Sequence, residues 1–408
     1  MNKERLWNRL HELSQYGKDP IAGHTRFSFT KEERMAKDLT AKYMLEAGLE
    51  VREDAIGNLI GRREGTMSGA PAVLIGSHLD SVPQGGMFDG PLGVLAGIEV
   101  LQSMNEREIV TDHPIEVIAF TDEEGSRFQF GLIGSKAVAG VLTEEDLQRS
   151  DQNGITLGQA MKESGFDPLR FKEAARDPKT VKGYVEVHIE QGKVLETNNL
   201  PIGVVSGIAG PLWLNWKIKG EAGHAGATPM QLRKDPLVAA AEIMQDIEEQ
   251  SKKYKNAVAT VGKISVKPAG VNVIPGEVEF TLDLRDIDEA VRDTIEKTIV
   301  TNANKICSKR KVELEVTTLQ RVAPVPCSPE IRQVIEHACS QSGVKAYTLP
   351  SGAGHDGMQF KDFCPIGMIF VQSKDGISHN PAEWSTKEDC AKGAEVLYHT
   401  VLGLANSK

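Results

Sequence analysis

AVLIGSHLDSVPQGGMFDGPLGVLAGIEVLQSM (72–104) decides the fold. AVLIG (72–76) is a short apolar run closed by glycine, the pattern of a fully buried strand. PLGVLAGIEVLQSM (91–104) is long enough and apolar enough for a buried helix. Between them runs a loop carrying His78, Asp80 and Asp89. Working outward, IEVIAFT (115–121) and YVEVHI (184–189) read as further buried strands. Upstream, Thr30 and Glu33 form a capping box for a helix ending near Gly48. Alternating strands and helices of this kind predict an α/β sheet with helices on both faces.

The middle of the chain reads differently. LWLNWKIKG (212–220) alternates Leu212, Leu214, Trp216 and Ile218 on one side, as a half-buried strand does. Asp235 and Pro236 open a helix to about Tyr254, as N-cap and first helical residue. AVATVGKISV (257–266) and GEVEFTLDLR (276–285) are strands, 287–308 a helix, and KVELEVTT (311–318) a strand. The order β-α-β-β-α-β is a split βαβ unit of about 110 residues. IRQVIEHACSQSG (331–343), KAYTLP, CPIGMIFVQ and a helix from Lys387 then resume the first pattern. The expected domains are 1–210 and 322–408 as two parts of one α/β domain, with 211–321 inserted.

The chain has 408 residues, enough for two or three domains. Its 47 basic and 57 acidic side chains leave a net charge of -10, which argues against a nucleic-acid binder. No run approaches the roughly 20 apolar residues of a membrane span. The charged N-terminus lacks the apolar centre of a signal peptide. Five cysteines without CxxC spacing fit a reducing cytoplasm better than a disulfide framework.

The chemistry gathers at strand ends. His78 follows one buried strand directly, where open α/β sheets place ligands. Asp80 can fix its imidazole from behind. Taken alone, His78 and Asp80 are as well explained by a surface histidine and a capping aspartate. FTDEEGSRF (120–128) puts Glu123 and Glu124 after another buried strand, and His188 ends YVEVHIEQG. His379 lies in GISHNPAEW beyond a fourth. His78, Asp89, Glu124, His188 and His379 are nitrogen and oxygen ligands without thiolate, suited to Zn²⁺, Mn²⁺, Co²⁺ or Ni²⁺. Five ligands exceed one tetrahedral site and fit two divalent ions about 3.5–4 Å apart that share a carboxylate. Glu123, beside ligand Glu124, is then the candidate general base.

GSHLDSVPQGGMFDGPLGV, DEEGSRF, HIEQG, GHAGATPM, NVIPG and SHNPAE together cover nearly the whole chain. With them it resembles the hydantoinase/carbamoylase branch of the binuclear metal-dependent aminoacylase and carboxypeptidase amidohydrolases. The resemblance implies a mixed-sheet, zinc-peptidase-like catalytic domain and an inserted ferredoxin-like lid and dimerisation domain. His78 and His188 would hold one metal, Glu124 and His379 the other, and Asp89 would bridge them. Glu123 would be the base and Asp80 the orienting residue. His224, Asn272 and Arg285 would contact substrate from a second subunit of a homodimer. Arg285 suits a carboxylate, and an unpaired charge ending the apolar run LDLR would be costly. His224 suits an oxyanion. Gln191 fits a ureido group, and backbone N–H groups of Gly352 and Ala353 in GAGHD fit the same carboxylate.

The resemblance implies hydrolysis of N-carbamoyl-L-amino acids, with allantoate, N-carbamoyl-β-alanine and N-acyl-L-amino acids as alternatives. The run PLWL (211–214) is apolar and suits an apolar amino-acid side chain, unless Leu212 and Leu214 are core residues. A catalytically dead binding protein would have lost a ligand or the base, and none is missing. A peptidase is the competing enzyme class, disfavoured by HIEQG and GHAGATPM.

Overall fold

The computed structural model describes residues 1–407. The chain divides into two compact units. One comprises Met1–Ser206, Pro326–Leu349 and the chain from His355 onward; the other comprises Gly207–Val325 and Pro350–Gly354. In chain order the strands are β1 (Glu50–Glu53), β2 (Leu59–Arg63), β3 (Ala72–His78), β4 (Ile115–Phe120), β5 (Val181–Ile189) and β6 (Ile202–Ile208). There follow β7 (Gly210–Lys219), β8 (Gly223–His224), β9 (Val258–Lys267), β10 (Val273–Ile274), β11 (Glu277–Asp286) and β12 (Glu313–Arg321). The last three are β13 (Val325–Pro326), β14 (Thr348–Ser351) and β15 (Ile366–Val371).

The large sheet runs β1-β2-β4-β3-β5-β15-β6-β13, with β14 beside β6. β4, β3, β5 and β15 are mutually parallel, whereas β2 and β6 join antiparallel. Parallel strands at the centre of a sheet are covered on both faces and become apolar throughout; every residue of β3, β4 and β15 is buried. Helices Pro91–Glu106, Pro329–Gln341 and Lys387–Ala405 pack in the core built on these strands. The N-terminus, expected only to be charged, forms helix Lys3–Leu13, because Leu6, Leu10 and Leu13 fall on one face and are buried. Thr30 caps helix Lys31–Glu46 through the Glu33 amide. The Glu33 carboxylate, however, accepts from the Phe29 amide, so the capping box is displaced by one residue.

In the second unit the sheet order is β12-β7-β11-β9, all antiparallel, and helices Pro236–Ser251 and Glu289–Arg310 connect it. With β7, β9, β11 and β12 counted one to four, the order is 4-1-3-2, the arrangement of a split βαβ fold. Asp235 caps the first helix as expected, but that helix ends at Ser251, short of Tyr254. Its core contains Leu212, Leu214, Trp216, Ile218, Phe280 and Leu284 with the apolar faces of both helices. Leu212 and Leu214 are therefore core residues, which removes them from the apolar-pocket reading of PLWL; of that run only Trp213 is exposed, at 40%. Trp216 and Phe280 are register partners stacked 5.7 Å apart. No helix among the described residues is long and apolar enough to cross a membrane.

Truncating a buried aromatic removes its transfer energy and leaves a cavity, together about 3–5 kcal/mol. Phe280→Ala is expected to lower the urea-denaturation stability of the folded chain by that amount; a change below about 1 kcal/mol would show that the stacked pair is not packed as described.

Candidate metal centre and substrate residues

Because β4, β3, β5 and β15 are parallel, their carboxyl ends lie along one edge of the sheet. His78 is the last residue of β3 and His188 the last but one of β5. Glu123 and Glu124 occupy the turn after β4, and His379 the loop after β15. Asp89 immediately precedes Gly90, the N-cap of helix Pro91–Glu106. Gly90 has φ 83°, and a Cβ there would lie 2.5 Å from the His78 ring, so only glycine fits. Asp122, Gln191 and His379 hold left-handed backbone without being glycine (φ 56°, 57° and 53°). Such conformations cost free energy and cluster at functional sites.

All five expected ligands converge. His78, Asp89 and His188 form one group able to hold a metal ion; Asp89, Glu124 and His379 form another. Asp89 belongs to both. Its Oδ1 lies 3.1 Å from His188 Nε2 and 3.5 Å from His78 Nε2, while its Oδ2 lies 3.4 Å from His379 Nε2. Glu123 lies outside both groups and joins a third with His78 and Glu124. The donor set fits divalent cations. His78 Nδ1 donates to the Asp80 carbonyl at 3.0 Å and His188 Nδ1 to the Ile189 carbonyl at 2.9 Å. Each imidazole thereby turns Nε2 toward Asp89, the nitrogen free to bind a metal once its proton is shed.

Asp80 acts otherwise than expected. Its carboxylate is 3.6 Å from His78 Nδ1, beyond a hydrogen bond. The imidazole is held by the Asp80 main chain instead. The carboxylate accepts the amides of Glu123 (3.2 Å) and Glu124 (3.1 Å), one on each oxygen. It therefore anchors the turn that carries Glu123 and Glu124. Gln191 Nε2 donates to Asp89 Oδ2 at 2.7 Å, and Gln191 Oε1 is buried without a partner among the described residues.

Electrostatics follow from crowding carboxylates and imidazoles under burial. Burial works against a charged His78, yet Glu123, Asp89 and Asp80 outweigh it and hold the imidazole well above its ordinary value. The hydrogen bond to Asp89 is the largest influence on His379 and, with Glu124, raises it to about 9. Burial, reinforced by Asp89, pushes Glu124 up to about 7. Burial also pushes Glu123 well above the carboxylate range, against the pull of His78. Burial opposes ionised Asp89, but His188, His379 and His78 hold it well below its ordinary value.

Sequence reading missed several residues here. Glu186 precedes His188 by two and shares its strand face, a period-two signal; it accepts from Ser77 Oγ at 2.7 Å. His355 packs edge-on to His188 with centroids 4.5 Å apart. Ser378 and Glu383 flank Asp89; both lie in the SHNPAE motif, whose histidine alone was singled out.

Of the expected substrate residues, Gln191 belongs to the first unit, and His224, Asn272, Arg285, Gly352 and Ala353 to the second. His224 is on β8, and its β10 register partner Val273 adjoins Asn272; the Asn272 carbonyl accepts the Ala225 amide at 3.0 Å. His224 Nδ1 accepts the amides of Gly226 and Ala227, leaving Nε2 as the N–H end. Arg285 is not unpaired: Asp283, two residues earlier on the same face of β11, accepts from its Nε and Nη2. Its Nη1 donates to the Gly352 carbonyl at 2.6 Å, so Arg285 and the Gly352–Ala353 segment meet.

Residues 74–403 match the model of peptidase family M20/M25/M40. The chain is 60% identical over 405 residues to the N-carbamoyl-L-amino acid amidohydrolase of Geobacillus stearothermophilus, covering 99% of both chains. It is 45% identical over 406 residues to the N-carbamoyl-L-amino-acid amidohydrolase of Pseudomonas sp. (strain NS671), covering 98% of both. The crystal structure of an amidase of the hydantoinase/carbamoylase family from Burkholderia multivorans superposes with TM-score 0.94 at 36% identity, over 100% of this chain and 98% of that one. The chain belongs to peptidase family M20/M25/M40 and, within it, to the hydantoinase/carbamoylase amidases.

Metal ligands must shed their protons. With His379 raised to about 9, a cation at Asp89, Glu124 and His379 displaces a proton at pH 7. Affinity for that cation should rise with pH until about pH 9 and then flatten with respect to this group. Calorimetric titration of Mn²⁺ at pH 7, in two buffers of different protonation enthalpy, should report net proton release. Zero release would remove His379 from the ligand set.

Proposed function

We propose that this chain hydrolyses N-carbamoyl-L-amino acids to the L-amino acid, CO₂ and ammonia, using two divalent metal ions. One observation carries the reading. Identity of 60% over 99% of both chains with a relative bearing that name coincides with a complete ligand set and an adjacent spare carboxylate. His78 and His188 would hold one ion, Glu124 and His379 the other, with Asp89 between. The ions would lower the pKa of an attacking water and polarise the ureido carbonyl. Zn²⁺, Mn²⁺, Co²⁺ and Ni²⁺ all suit these ligands.

The chain's own groups do the rest. Glu123, raised by burial toward the range of an effective base, takes the proton from the attacking water. It then returns the proton to the amino-acid nitrogen as the C–N bond breaks. The carbamate released decomposes to CO₂ and ammonia. Asp80 keeps Glu123 in place through the backbone of its turn. Arg285, steadied by Asp283, offers an end-on donor pair for the substrate carboxylate, and Gly352 and Ala353 add the adjacent segment. His224, with Nδ1 committed to backbone amides, presents Nε2–H to a developing oxyanion. Asn272 and Gln191 are assigned to substrate polar groups. We read 211–321 as a lid and dimerisation domain of a cytoplasmic homodimer, with 1–210 and 322–408 forming the catalytic domain.

Ammonia release from N-carbamoyl-L-methionine, N-carbamoyl-β-alanine, allantoate and N-acetyl-methionine tests the substrate. Turnover should be largest with the first; preference for any other sinks the assignment. Glu123→Gln should retain metal and lose roughly 10²–10⁴ in kcat, whereas Glu124→Gln should lose metal. Exchanged phenotypes would reverse the two roles.

Arg285→Lys keeps a charge but not the planar fork. It should raise KM strongly at unchanged metal content, and an uncharged ester of the substrate should be turned over equally poorly by both enzymes. If Arg285 serves the partner's site, mixed Glu123→Gln and Arg285→Ala dimers should regain activity after subunit exchange. Exchange proved by mass without regained activity would place Arg285 within its own subunit.

A further inference from the structure

Asp89 is the sole carboxylate shared by the two ligand trios, and it stands on a loop instead of a strand. Its main-chain amide is held by a residue nearly three hundred positions away. Glu383 is 3% exposed. Its Oε1 accepts two consecutive amides, Phe88 at 2.9 Å and Asp89 at 3.1 Å. Its Oε2 lies 2.9 Å from the Ser378 hydroxyl, which stands 2.8 Å from Asp89 Oδ2. One buried side chain thus holds the main chain of Asp89 and, through Ser378, adjoins its carboxylate, whose Oδ2 also accepts from Gln191 Nε2 at 2.7 Å. The approach is close enough to demand glycine at position 86, where a Cβ would lie 2.1 Å from Glu383 Oε1. The segments are also joined behind the site, where Trp384 meets Phe88 edge-on at 5.5 Å.

The rotation of that carboxylate matters because the two oxygens have different neighbours. Oδ1 faces His188 and His78, and Oδ2 faces His379. His78 and His188 sit on adjacent parallel strands, each ring held by a backbone carbonyl. The Glu124 and His379 pair stands on loops and depends on Asp89 being presented correctly.

Resting on the two-metal reading above, we infer that Glu383 is a positioning residue that sets Asp89 as a shared ligand, and so governs capture of the second metal ion. It touches neither metal nor substrate in this role. A merely structural glutamate would affect folding stability but neither the sharing of Asp89 nor the ligand field.

Co²⁺ titration of the metal-stripped full-length protein, followed by visible absorption, tests this. Wild type should take up two equivalents. Glu383→Ala should bind the first with unchanged affinity, bind the second at least 10-fold more weakly, and show an altered second-site spectrum. In the loaded enzyme kcat should fall while KM stays put. Glu383→Gln should restore the second equivalent, because its carbonyl can accept both amides and its NH₂ can donate to Ser378. Ser378→Ala, which removes only the link to the carboxylate, should weaken the second equivalent by less, and it replaces Glu383→Ala should that variant not fold. Two tight equivalents with the wild-type spectrum in Glu383→Ala, or in Ser378→Ala as its replacement, would overturn the inference. A Glu383→Gln protein as defective as Glu383→Ala would also overturn it, since charge rather than geometry would then be required. Failure of the substrate assignment is seen separately, as wild type that binds two equivalents yet turns over no ureido compound.

Discussion

The Asp89 carboxylate is the constraint on which the site depends. Among the described residues it is the one acidic group in contact range of His78, His188 and His379 together. Buried carboxylates are costly unless opposed by positive charge or hydrogen bonds. Asp89 answers that cost with imidazoles on one side and Gln191 and Ser378 on the other. The sheet supplies what the loop cannot. Parallel strands bring His78 and His188 to one edge, where backbone carbonyls hold both rings.

Asp80 shows how a single residue serves two neighbours through different atoms. Its carbonyl sets the His78 tautomer, and its carboxylate ties the Glu123–Glu124 turn to the end of β3. Glu123 and His78 are therefore tied to the same residue. The left-handed residues Asp122, Gln191 and His379 mark where the chain bends away from its strands to aim a side chain. The surrounding packing maintains that strain, and the stiffness it implies suits a cluster whose ligands must not drift.

The two units divide the chemistry differently. The first contains every metal-capable group described above. The second contains donors of a kind suited to a carboxylate or an oxyanion, with Arg285 already oriented by Asp283. An arginine gripped this way loses little freedom on binding, because one edge of its guanidinium is committed before a ligand arrives.

Much of this was legible locally. Apolar runs of strand length at 72–76, 115–121 and 184–189, and the β-α-β-β-α-β order of the middle, follow from periodicity, which depends on neighbours in sequence alone. Of the five expected ligand residues, His78, Glu124, His188 and His379 could be picked out because each stands at or beyond a strand end, and Asp89 because it opens a helix from a glycine-rich turn. Tertiary structure decided what periodicity cannot encode. The Asp80 carboxylate turned out to face a backbone 43 residues on, and Glu383 to hold an amide 294 residues back. Leu212 and Leu214 were claimed by the core because the alternation of β7 places them under two helices. Arg285 found Asp283 because residues two apart in a strand share a face. A hydrogen bond across hundreds of residues leaves no trace in local pattern; only packing of the sheet and its loops brings its two ends together.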